Sequence, residues 1–189
     1  MMSSKKERVK TGMIYGVMIL YLILLLFMML FAVADPISGY SAIRANLRGV
    51  SIMPLHSIAQ YLQADGGHGA VMVNLLGNVV MFAPLGFYAT ALRKDKRILW
   101  NLLWVFLFSL SAEIIQYVFA RGISDIDDIL LNCLGGLLGI FIYKALSLLV
   151  KNEAKVRTVI AVLSAIAALP VLVTLMGCVK VFYEYTTRF

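Results

Sequence analysis

The sequence predicts an all-α integral membrane protein, a bundle of about five transmembrane helices. Three observations carry that expectation. Of 189 residues, 61% are hydrophobic and only 14% are charged, where a soluble domain has nearer a quarter charged. The apolar residues fall in long runs, each able to cross a hydrocarbon core of about 30 Å. Short segments rich in Lys and Arg separate the runs, and this spacing reads as membrane topology rather than phosphate binding, so the net charge of +7 does not imply nucleic acid.

Residues 1–11 form a basic tail, with Lys5, Lys6, Arg8 and Lys10. The first span follows at 12–34. Ala32-Val33-Ala34 resembles a signal-peptidase site, but the apolar core is too long for a signal peptide, so a permanent helix is expected. Residues 35–69 form an extracytoplasmic segment. Within it, Pro54 opens a short amphipathic stretch, with Leu55, Ile58, Ala59 and Leu62 on one helical face, suited to lying in the interface. The second span covers 70–92, and Pro84 inside it removes a backbone donor and is expected to kink it. The third covers 98–120, the fourth 128–150 and the fifth 158–181. Short links make successive helices antiparallel neighbours. Cys133 and Cys178 lie inside apolar runs and read as small packing residues.

Orientation follows from charge. The tail, the link at Arg93, Lys94, Lys96 and Arg97, and the residues Lys144, Lys151, Lys155 and Arg157 must share one side, and they hold twelve of the 17 basic residues. The positive-inside rule therefore puts the N-terminus in the cytoplasm and the C-terminus outside. Acidic residues run the other way: Asp35, Asp65, Glu113, Asp125, Asp127, Asp128 and Glu184 fall outside or in the outer half of a helix.

Polar residues inside the spans are expensive, and Asn74, Asn78, Glu113, Gln116 and Asn132 each fall in the outer half of their helix. Glu113 lies about 10 Å below the end of the third span, and Gln116 shares its face at i+3. Asn74 and Asn78 are an i, i+4 pair on the second span. Asn132 is at i+4 from Asp128 and i+7 from Asp125. Arg121 could pair with any of the three aspartates or with Glu113. Ser124 with Asp127 resembles a capping box, which alone would account for acidic residues at the start of the fourth span. Asn74, Asn78, Glu113, Gln116, Arg121, Asp125, Asp128 and Asn132 are thus the candidate ligand-binding residues. Gly135 and Gly139 form a G-x-x-x-G packing face, widened by Gly136. No metal-ligand spacing and no cofactor motif is present, and three aspartates with Glu113 make a weak case for a divalent cation.

The stretch Asn74 to Phe87, N-L-L-G-N-V-V-M-F-A-P-L-G-F, is similar to the N-x-x-x-N…F-x-P-L-G-F signature of the VanZ-like family. Glu113 and Gln116, Arg121 to Asp128, and Asn132 with Gly135 and Gly139 resemble its E-x-x-Q…R…D-x-x-D-x-x-x-N-x-x-G-x-x-x-G block. Pro84, Gly86, Gly135 and Gly139 are structural positions in these motifs. Ile52 to Ile58 is similar to a third element, although Ser51, Met53, Leu55 and Ser57 replace its usual residues. The resemblance covers residues 40–150, with 70–150 as the core. It implies a bacterial cytoplasmic-membrane protein, in a family whose best-known member gives low-level resistance to the lipoglycopeptide teicoplanin.

Three functions compete. An envelope protein would bind an amphiphilic cell-wall lipid or lipoglycopeptide at its outer-face polar cluster. An extracytoplasmic enzyme would act on a lipid or glycolipid with Glu113 as acid or base; no nucleophile elbow or P-loop accompanies it. A transporter ranks last, because five spans without a repeat match carriers poorly. The expected partners are the bilayer and such an amphiphile; no feature of the sequence fixes an oligomeric state.

Overall fold

The computed structural model describes residues 2–31, 48–55, 68–119 and 122–187. Five long helices dominate: α1 (Met2–Phe31), α2 (His68–Leu92), α3 (Ile98–Val118), α4 (Ile126–Val150) and α5 (Glu153–Thr187). All five are long and apolar enough to cross a membrane. Two short strands, β1 (Arg48–Ser51) and β2 (Gly122–Asp125), pair in parallel with Arg48 opposite Gly122 and Ser51 opposite Asp125. The chain divides into two compact units, residues 1–34 with 144–189 and residues 35–143.

In the first unit α1 packs against α5. Buried side chains line the contact: Ile14, Val17, Tyr21, Leu24 and Leu25 from α1, and Val156, Ile160, Ala161, Ser164 and Cys178 from α5. At the basic end, Lys10 Nζ donates to Glu7 Oε1 at 2.9 Å and to Thr158 Oγ1 at 2.8 Å. Arg157 Nη1 donates to Thr11 Oγ1 at 3.5 Å. Helix α1 starts at Met2, not near residue 12, because Lys, Arg and Glu are good helix formers and the Glu7–Lys10 pair bridges one turn. Helix α5 likewise begins before residue 158. Asn152 caps it by accepting the Lys155 N–H on Oδ1 at 3.1 Å, and Glu153 sits in its first turn. Lys151, with φ 51°, takes the left-handed conformation that ends α4 before that cap, its N–H donating to the Ser147 carbonyl.

In the second unit α2, α3 and α4 (to Tyr143) pack around Phe82, Tyr88, Val105, Ala112 and Ile140. Helix α2 runs through Pro84 unbroken. Its approach to α4 is too close for side chains. A Cβ on Gly86 would collide with the Gly136 carbonyl, one on Gly135 with the Val79 carbonyl, and one on Gly139 with the Ala83 carbonyl. Helices meet this closely in lipid because dispersion and close backbone contact, not hydrophobic exclusion, hold them together.

The α2–α3 link is wired by its own side chains. Lys96 Nζ caps α2 by donating to the Thr90 and Ala91 carbonyls, and it lies 4.9 Å from the centre of the Tyr143 ring. Buried Asn101 donates to the Asp95 and Arg97 carbonyls. Asp95 accepts from the Arg97 side chain at 2.7 Å, and that bond, reinforced by the Arg97 backbone N–H, holds its carboxyl down at about 2. The same bond raises the Arg97 guanidinium.

Candidate functional site

The opposite end of the second unit, at the start of α2, the end of α3 and the start of α4, collects the polar side chains. Each arrives by a different local rule. Asp125 is the last residue of β2 and caps α4, accepting the Asp127 N–H on Oδ1 at 3.0 Å. The cap is therefore Asp125 and not the Ser124–Asp127 box. The Ser124 hydroxyl is spent elsewhere, donating to the Glu113 carbonyl at 2.8 Å. That bond ties β2 to the C-terminal part of α3.

Glu113 is 3% exposed. Its Oε2 accepts the Asp125 backbone N–H at 3.2 Å, so the α3 carboxyl holds the strand that leads into α4. Asp128, in the first turn of α4, accepts from Asn78 Nδ2 of α2 at 2.7 Å. One turn deeper, Asn132 Nδ2 donates to Ser109 Oγ of α3 at 2.9 Å, and both residues are fully buried. Asn132 Oδ1 has no hydrogen-bond partner among the described residues.

The structure thus gathers Asn78, Glu113, Asp125, Asp128 and Asn132 at one end of three helices, in three separate contacts: Asn78 with Asp128, Glu113 with Asp125, and Asn132 with Ser109. Gln116 is half-buried one turn beyond Glu113. Asn74 lies one turn before Asn78 on α2, with its side chain outside the described set, and Arg121 lies outside the described residues. So do residues 56–67, which hold most of the expected interfacial stretch. Pro54 and Leu55 form a turn there.

Three contributors escape a reading of the sequence alone. Asp127 is 2% exposed and its Oδ1 accepts the Leu55 N–H at 2.6 Å, so it fastens the first outer segment to the start of α4. Leu55 has φ 64°, a left-handed conformation that costs a non-glycine residue roughly 1–2 kcal/mol, and the charge-assisted bond to Asp127 offsets it. Ser109 looks like a small packing residue until Asn132 is placed opposite. The β1–β2 pair brings residues 48–51 onto the α3–α4 link with no periodicity to announce it. Among the described residues no group of three or more His, Cys, Asp or Glu side chains is arranged to hold a metal ion.

Chemically, the arrangement offers buried acceptors at the end of a bundle whose flanks are apolar. Leu76, Val80, Leu103, Phe106, Leu130 and Leu134 are all exposed. Comparison with known proteins adds the family context. The VanZ/LLP1 family model matches residues 18–150, ending with α4 and leaving α5 beyond the match. Among curated proteins, Protein VanZ of Enterococcus faecium is 30% identical over 145 residues, covering 77% of this chain and 81% of that protein. No solved structure matches.

Proposed function

The chain belongs to the VanZ/LLP1 family, and from that premise we propose that its polar end binds the head of an amphiphile, a cell-wall lipid or a lipoglycopeptide. The binding face is on the outside of a bacterial cytoplasmic membrane. The observation that carries this reading is the cluster of half-buried Asn78 and Asp128 with buried Glu113 and Asn132, placed at the ends of apolar helices. Polar side chains at this depth are costly in hydrocarbon, and a ligand with a polar head and an apolar tail matches such an end on both counts. The outward assignment rests on the twelve basic residues that share the other side. A membrane protein that holds such an amphiphile at headgroup depth would reduce the action of teicoplanin-type antibiotics, either by engaging the drug's acyl tail or by covering its lipid-linked target.

The test is growth inhibition of a susceptible Gram-positive host expressing the protein. Teicoplanin is compared with vancomycin, and wild type with Glu113→Gln, Arg121→Ala and Asp128→Asn at equal membrane abundance. Selective protection against teicoplanin that the three changes erase is the expected result. Full protection by all three variants, or none by wild type at good expression, sinks the antibiotic reading.

A further inference from the structure

The deepest polar pair identifies what kind of head group the site takes. Ser109 and Asn132 form one rung between the antiparallel helices α3 and α4. One turn nearer the helix ends, at i+4 from Ser109 and i−4 from Asn132, stand Glu113 and Asp128. The Asn132 carbonyl therefore lies about 6 Å beneath the Glu113–Asp128 level, on the same helix faces. It is fully buried and has no partner among the described residues. A buried acceptor left unmade costs about 1–3 kcal/mol, and hydrocarbon offers no donor to satisfy it.

The group beside it offers a second oxygen site, already bonded to the segment before α4. Glu113 receives one backbone N–H, on Oε2, and no described Lys or Arg side chain bonds it. Two neighbouring buried groups thus present oxygen acceptors toward one level of the bundle. A bare phosphate or carboxylate entering there would set acceptor against the Asn132 carbonyl. A trimethylated ammonium would bring charge without a donor.

Resting on the reading that this end binds an amphiphile, we infer that the ligand's head reaches Asn132 Oδ1 with an N–H or O–H donor, a primary ammonium or a hydroxyl, and passes Glu113 on the way. Ser109 orients the Asn132 amide by taking its N–H, which leaves the carbonyl for the ligand. Asn132 is then the specificity-determining contact, and Glu113 is the second acceptor.

The experiment uses the full-length protein in phosphatidylcholine nanodiscs and three probes with the same tail: dodecylammonium, dodecanol and dodecyltrimethylammonium. Dodecylammonium should bind about tenfold more tightly than its trimethyl analogue, the effect of one buried hydrogen bond. Asn132→Leu should abolish that margin and Asn132→Asp, which keeps an acceptor, should retain it. Dodecanol separates the two donor sources: binding equal to that of dodecylammonium assigns a hydroxyl head, and weaker binding assigns an ammonium. Equal binding of dodecylammonium and its trimethyl analogue by wild type would overturn the donor inference while leaving an amphiphile site standing. Failure of all three probes to bind would overturn both. The wild-type comparison decides the matter even if Asn132→Leu does not fold.

Discussion

Where α1 meets α5 the contact is made by side chains, and where α2 meets α4 it is made by backbone. In the first unit Leu25, Val156 and Ile160 interpose their volume, and Gly12, Gly16 and Gly177 have open space where a Cβ would go. In the second, Gly86, Gly135 and Gly139 each hold a neighbouring carbonyl in the space a Cβ would occupy. The polar cluster belongs to the second unit only. A hydrogen bond such as Asn78 to Asp128 survives an error of a few tenths of an ångström and no more, and flexible aliphatic side chains do not fix helix register that finely. Backbone contact does. The glycines lie one to three turns from the polar rungs on the same helices, and they act as the alignment on which those rungs depend.

The largest expected effect tests that division directly. Gly139→Ala and Gly86→Ala should each destabilise the protein by about 3 kcal/mol, because the obstructing atom is backbone and can yield only by moving a helix. Gly12→Ala, Gly16→Ala and Gly177→Ala should cost less than about 0.5 kcal/mol. Gly77 sharpens the comparison. It lies on α2 beside Asn78 but faces open space, so Gly77→Ala should behave like the glycines of the first unit. Thermal unfolding in detergent, read by gel-filtration recovery, measures all six. Equal losses for Gly77 and Gly86 would mean that position along α2, not backbone contact, sets the cost.

A smaller effect is expected in the side-chain-packed unit. Leu25 is fully buried, and Leu25→Ala should cost about 2 kcal/mol, mostly as lost dispersion contacts. Hydrogen exchange should rise along α1 and α5 while the amides of α3 keep their protection. Loss of protection in α3 would show that the two units unfold as one.

Next in size is Lys96→Met, at about 1–2 kcal/mol. It removes two bonds to the last carbonyls of α2 and the cation over the Tyr143 ring, and it keeps the aliphatic stem. The second unit should loosen at its basic end, and Trp100 and Trp104 emission should shift, with Arg93 lying over Trp104 and Arg97 over Trp100. An unchanged melting curve and emission would show that the cap contributes nothing there.

These regions also differ in how much of them the sequence discloses. The spans are legible because an apolar run of bilayer length has few alternatives, and the polar end is legible because Asn78, Glu113 and Asn132 stand out in such runs at matching depth. What stays hidden is set by non-local geometry. Arg-Gly-Val-Ser and Gly-Ile-Ser-Asp carry no strand pattern, and they pair only because the helices bring them together. The choice of Asp125 over Ser124 as the α4 cap is equally non-local, since both are good caps and Glu113 of another helix claims the serine. Asp127 looks like any first-turn carboxylate until β1 delivers the Leu55 N–H to it. The start of α5, by contrast, is readable from Asn152 and Glu153, but the charged residues that follow disguise it as a link.

The smallest effect concerns the ion pair at the basic end, and it separates charge from capping. The Asp95 carboxyl is held at about 2 by hydrogen bonds from the Arg97 side chain and backbone. A carboxyl whose folded value is lowered stabilises the fold fully above its unfolded value of about 3.9, and that contribution is lost as pH falls toward about 2. The difference in melting temperature between wild type and Asp95→Asn should therefore be small and constant from neutral pH down to about pH 5. It should close only below about pH 4, where the unfolded carboxyl begins to take up its proton. Because the pair is exposed, water screens it, and the link should keep its shape through the Lys96 and Asn101 bonds to backbone carbonyls. A difference that stays flat from about pH 5 down to about pH 2 would place Asp95 among ordinary carboxyls, without the hold of Arg97.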